Sequence, residues 1–261
     1  MPFTFVTIIL NMKKFILFSL AALAFINVSA QTVDSVITPE PLKAPKTKKD
    51  IPNLANRAND HLMIQLGYTG WAGIPDTINT NGFSKSFNIY LMYDFPFKNN
   101  PKLSMAFGPG LGSDHILFTK TGLGIKDQTS TIAFKDLSDT NHFKKTKLAT
   151  VFLEAPVEFR YSANPETGKG LKFAIGVKVG TLLNAHTRNS DYEDKSGNTI
   201  NNYVMKESSK RFFNKQRLSG MLRVGYSNIS LYGSYQFTPV FRDGVGPVVR
   251  PFSIGITLSG L

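Results

Sequence analysis

From residue 61 onward the chain alternates large apolar side chains with polar or small ones, in segments of about ten residues bounded by Gly, Asn, Pro and Asp clusters. A period of two puts successive side chains on opposite faces of an extended strand, whereas a helix repeats every three to four. In one segment Leu171, Phe173, Ile175, Val177 and Val179 share one parity, and Lys172, Ala174, Gly176, Lys178 and Gly180 share the other. Another sets Val151, Leu153, Ala155, Val157, Phe159 and Tyr161 against Thr150, Phe152, Glu154, Pro156, Glu158 and Arg160. A third sets Leu218, Leu222, Val224 and Tyr226 against Ser219, Met221, Arg223 and Gly225. The pattern predicts eight strands, at 61–70, 83–95, 102–112, 146–162, 171–183, 218–227, 229–238 and 251–261, with no helical periodicity.

Such alternation fits a sheet with its apolar face on a soluble core, or a barrel with that face in lipid and a polar lumen. The connections discriminate. Those at 96–101, 163–170 and 228 are short, and those at 71–82, 113–145, 184–217 and 239–250 are long, in strict alternation. A membrane barrel entered from the periplasm has short periplasmic turns and longer external loops, and a sandwich offers no reason for the pattern. The aromatics agree: Tyr93, Phe95, Phe159, Tyr161, Phe173 and Tyr226 fall on the apolar parity near the short turns. Tyr68, Phe83, Phe87, Phe237 and Phe252 do so near the long loops, as two interfacial girdles require. The predicted fold class is all-β, an eight-stranded antiparallel up-and-down transmembrane β-barrel with a disordered N-terminal periplasmic tether. A soluble lipid-binding barrel or sandwich is the fold alternative.

The start of the chain assigns the compartment. Lys13 and Lys14 precede the apolar run 15–26, and Val28-Ser29-Ala30 ends it with small residues at the positions a signal peptidase reads. Residues 1–30 are therefore predicted to be a signal peptide, with translation starting at Met12 and the mature chain at Gln31. Residues 31–60 carry Pro39, Pro41, Pro45 and Pro52 among Lys43, Lys46, Lys48 and Lys49, the composition of an unpacked periplasmic linker. The barrel domain is predicted over 61–261. The formal net charge of +12 would suggest nucleic acid in the cytosol, but export removes that partner. The absence of cysteine excludes disulfides, thiolate metal sites and a lipidated cysteine anchor.

An eight-stranded barrel is just wide enough to be filled by side chains, so an open diffusion pore is not expected. Glu154, Glu158, Arg160, Lys172, Lys178 and Arg223 fall on the inward parity of neighbouring strands. They would form either a polar conduit or an ion-pair network that closes the lumen. Closure is the preferred reading because buried charges must be paired. Gly108, Gly110, Gly112, Gly176 and Gly180 share that parity and are read as room for bulky neighbours. The segment 107–112 superficially suggests a phosphate loop, but no lysine and helix follow it.

None of His61, His115, His142 and His186 has metal-site spacing to another histidine, so no metal or cofactor is expected. His186, Ser190 and Glu193 suggest a hydrolase constellation only if the fold brings them together. Lys206, Lys210, Arg211, Lys215 and Arg217 around Phe212-Phe213 form a predicted external basic patch, suited either to lipopolysaccharide phosphates or simply to keeping a loop solvated.

The signal peptide ending at Ala30-Gln31, the runs 152–161 and 173–178 around a short turn, and the final Arg250-Pro251-Phe252-Ser253-Ile254-Gly255-Ile256-Thr257-Leu258 together resemble the PorT-like family of outer-membrane β-barrels. The resemblance covers residues 61–261. It implies a barrel assembled from the periplasm, with some relatives linked to protein secretion, and no catalytic residues. One departure is the ending Ser259-Gly260-Leu261 in place of a terminal aromatic. The expected function is a non-enzymatic, structural or interaction barrel of the outer membrane working through its long loops. Its partners would be outer-membrane lipid and envelope or secretion proteins, with no nucleic acid. A transport or protein-secretion component is the second reading and a membrane hydrolase or acyltransferase the third.

Overall fold

The computed structural model describes residues 61–80 and 83–260; the predicted signal peptide and tether lie outside the described residues. The described chain is all-β. Its strands are β1 (Leu62–Ala72), β2 (Lys85–Leu91), β3 (Tyr93–Phe97), β4 (Asn100–Phe107), β5 (Gly110–Phe118), β6 (Thr121–Gly124) and β7 (Ala133–Asp136). They continue with β8 (His142–Ser162), β9 (Leu171–Glu193), β10 (Thr199–Ser208), β11 (Gln216–Tyr226), β12 (Ile229–Gln236) and β13 (Arg250–Ser259). β1 pairs with β13 and β2, and the ladder runs on through β5, β8, β9, β11 and β12 back to β13. Every pairing is antiparallel and the eight strands close a ring, so no edge remains around it.

The strand count differs from the expected eight for three reasons. The predicted second and third strands are each broken, into β2 with β3 and β4 with β5, at Met92 and at Gly108-Pro109. Proline has no N–H for the ladder, but the Pro109 carbonyl accepts the Leu91 N–H at 2.9 Å, while Met92 donates its N–H to the His61 carbonyl at 2.6 Å. β9 runs ten residues past the predicted end at Leu183, to Glu193, and β10 pairs with this extension inside what was expected to be a loop. A hairpin of β6 and β7 occupies the loop between β5 and β8.

The ring turns its apolar parity outward. Leu66, Leu91, Ile175, Val177, Val179, Leu222, Leu231 and Ile254 are all exposed, while Gln65, Asn88, Ser104, Ser219, Ser253 and Thr257 are buried inside. Leaving each large apolar side chain in water forgoes about 1.5–3 kcal/mol, so this wall has no rationale in an aqueous compartment and a clear one in hydrocarbon. The soluble alternative required the apolar faces to pack together, and they do not. Tyr93, Phe95, Phe159, Phe173 and Tyr226 are exposed near the short turns, as are Tyr68, Phe83, Phe87 and Phe237 near the long loops.

The main apolar core sits at the long-loop end. Trp71, Ile116, Phe118, Leu123, Phe152, Phe212, Phe213 and Phe241 are buried together there. Phe241 meets Trp71 edge-on at 5.7 Å between ring centroids and Phe213 at 5.3 Å. The long loops thus pack on one another over the ring, and Phe212-Phe213, expected in a basic surface loop, belong to that packing.

Candidate functional site

The ring interior holds two tiers of charge. In the tier nearer the long loops, Glu154 of β8 accepts hydrogen bonds from Arg217 Nε of β11 at 2.5 Å and from the Tyr90 hydroxyl of β2 at 2.5 Å. Lys178 Nζ of β9 lies 3.6 Å from the same carboxylate. Arg217 Nη1 reaches Asp114 Oδ2 of β5 at 2.6 Å, and its guanidinium lies 3.9 Å from the Phe152 ring centroid. In the second tier Glu158 Oε2 accepts from Arg160 Nε at 2.6 Å and from Arg223 Nη2 at 2.9 Å, while Arg160 Nη1 lies 3.9 Å from Asp94 Oδ1. Lys172 is buried on the same wall.

Strand parity delivers these groups inward, and register aligns them. Glu154 sits opposite Gly180 of β9 and Gly110 of β5, and Arg217 sits opposite Gly180. A Cβ at Gly112 would stand 2.5 Å from Arg217 Nη2, so glycine makes the room the ion cluster occupies. Neutral bonds fill the rest of the section, with Asn88 donating to Gln65 at 3.2 Å, Gln65 to Thr257 at 3.2 Å, and Ser86 joined to Tyr232 at 2.9 Å. Glu158 at 0% exposure and Glu154 at 2% depend on their cations, because removing one partner of a buried pair leaves a charge without compensation.

All six residues expected in the lumen, Glu154, Glu158, Arg160, Lys172, Lys178 and Arg223, are buried inside the ring. Tyr90, Asp94, Asp114 and Arg217 join them. Arg217 is a correction, because it was expected in the external basic patch. It shares the odd parity of Ser219, Met221 and Arg223, so β11 turns it inward, and at 4% exposure it is no surface group. Lys206, Lys210, Arg211 and Lys215 are exposed but do not form one cluster with it. Lys206 lies on β10, whereas Arg211 stacks over Phe212 at 5.4 Å and donates from Nη1 to the Asp127 carbonyl at 3.3 Å.

The suggested hydrolase constellation does not assemble. A register shift opposite Val151 and Phe152 swaps the faces of β9 beyond Leu183, so His186 and Ser190 lie on its outer face, but Glu193 is buried on the other and is held by Lys144 Nζ at 3.0 Å. His186 Nδ1 has no hydrogen-bond partner, so no group orients the imidazole as a base. Among the described residues no group of three or more His, Asp or Glu side chains is placed to hold a metal.

The family model described as outer membrane protein beta-barrel domain matches residues 57–242. No curated protein matches the chain. Among solved structures, Ail, the attachment invasion locus protein of Yersinia pestis, is similar over 76% of this chain and 94% of its own, at 10% identity and a TM-score of 0.35.

Proposed function

The chain belongs to the outer membrane protein β-barrel domain family, and from that premise we propose that it is a closed, non-catalytic barrel with a structural or interaction role, exerted through the sheet and loops at its long-loop end. One observation carries the reading: paired charges fill the ring in two tiers while the loops pack an apolar core over one mouth. A conduit needs a continuous hydrated path, and each tier instead consumes its own charges. Placement among PorT-like barrels, with residues 31–60 as a periplasmic tether, is part of the same proposal. A link to secretion would then be that of a docking partner rather than a channel. Lipid of the outer membrane is the partner the wall calls for.

Outer-membrane fractionation with the heat-dependent gel shift of folded barrels, followed by planar-bilayer recording, tests this. The expected result is sedimentation with the outer membrane, a clear shift and no steady conductance. Stable large conductance from the purified protein would overturn the closed-lumen reading in favour of transport.

A further inference from the structure

Beyond the last exposed apolar residues of the wall, Leu153 on β8 and Leu183 on β9, these two strands and β10 continue as one sheet. Register sets Lys147 directly opposite Arg188, and Arg188 directly opposite Lys206. Three cations therefore stand in a row across three strands, on the face that continues the outer wall of β8, because the register shift opposite Val151 and Phe152 brings the even positions of β9 beyond Leu183 onto that face. Lys145 follows on the same parity of β8, and Lys85 of β2 lies 5.9 Å from the Phe83 ring at the aromatic edge. The other residues of this face on β8, β9 and β10 include Phe143, Ala149, His186, Ser190, Tyr192, Val204 and Ser208, without a carboxylate. Glu193 and Glu207 fall on the opposite parity. Among the described residues, neither Lys147, Arg188 nor Lys206 makes an ion pair. Like charges directly opposite one another disfavour strand pairing. Burial, then Arg188 and Lys206, hold the Lys147 ammonium below its ordinary range, so the row's repulsion is uncompensated within the chain.

We propose that the row Lys147, Arg188 and Lys206 binds the phosphate groups of anionic outer-leaflet lipid. The inference rests on the membrane reading above. The row continues the lipid-facing wall, so its neighbour at that height is the head-group layer, and the charge of that layer is complementary. Arg188 offers a forked donor, flanked by ammonium groups one strand spacing, about 4.8 Å, to either side. A head group carrying two phosphates can engage the arginine and a lysine together.

The test uses the full chain folded in phosphocholine micelles and titrated with bis-phosphorylated lipid A, its dephosphorylated form and inorganic pyrophosphate. Wild type is expected to prefer the bis-phosphorylated lipid. K147Q/R188Q/K206Q should lose about five-fold affinity per cation, roughly a hundred-fold in all. K210Q/R211Q/K215Q, which spares the row, should bind as wild type. If the triple variant does not show the heat shift of a folded barrel, R188Q alone, expected to lose about five-fold, decides. Unchanged affinity in the row variant, or no preference for phosphate, overturns the proposal, and pyrophosphate binding as tightly as the lipid reassigns the row to a soluble anion. The membrane reading fails separately, if wild type itself neither sediments with the outer membrane nor shifts on heating.

Discussion

Arg217 and Glu154 meet inside the ring from positions 63 residues apart, with Nε donating to Oε1 at 2.5 Å. The same guanidinium holds Asp114, so one cation on β11 ties down carboxylates from β8 and β5. Arg217→Ala would leave both carboxylates with Lys178 as the remaining cation of that tier. Breaking a buried pair from one side costs about 3–5 kcal/mol, and this variant should lose about that much in denaturant unfolding from lipid vesicles. Glu154→Gln should lose less, because Arg217 keeps Asp114. Equal, small losses in both variants would mean that water in the lumen screens the network.

Arg217 also shows where the sequence stops being legible. The wall and lumen of the strands follow from parity, because lipid and packed interior impose opposite demands on alternate residues. That rule also assigns Tyr90 and Asp94 to the lumen, though their polar tips are masked in the sequence by the apolar residues that dominate β2 and β3. Arg217 and Asp114 escape the rule because the alternation predicts strand boundaries at 218 and 112, one and two residues short of them. Farther out, β8, β9 and β10 rise past the wall, where neither face meets hydrocarbon. Thr187, Asn189 and Ser190 therefore pair by backbone with no apolar alternation to reveal it.

Gly108 and Gly233 make opposite demands. A Cβ at Gly108 would overlap the Leu91 carbonyl, a backbone group that cannot swing aside, whereas a Cβ at Gly233 meets nothing within 4 Å. Gly108→Ala should cost about 1–3 kcal/mol through forced separation of β2 from the chain at the break, visible as a lowered unfolding midpoint. Gly233→Ala should leave the midpoint unchanged or raise it slightly, because alanine restricts the unfolded chain. The same midpoint in both variants would show that the break at Gly108-Pro109 opens freely.

His186 reports on the cation row from one pleat away. Burial first, then Lys206, Lys147 and His115, hold its imidazole below the ordinary value of 6.5. The folded protein therefore binds fewer protons than the unfolded chain in the window just below that value. The extension of β8, β9 and β10 keeps its full stability above about pH 6.5 and loses some as the pH falls through that window. In an imidazole titration followed by NMR in micelles, Lys206→Gln should raise the His186 midpoint without bringing it to 6.5, since burial remains. Lys210→Gln should not move it. A phosphate seated on the row would act in the same direction as Lys206→Gln, because an anion offsets the repulsion that keeps the ring neutral. Titration of wild-type His186 at or above 6.5 in the absence of lipid phosphate would mean that the row's field does not reach it.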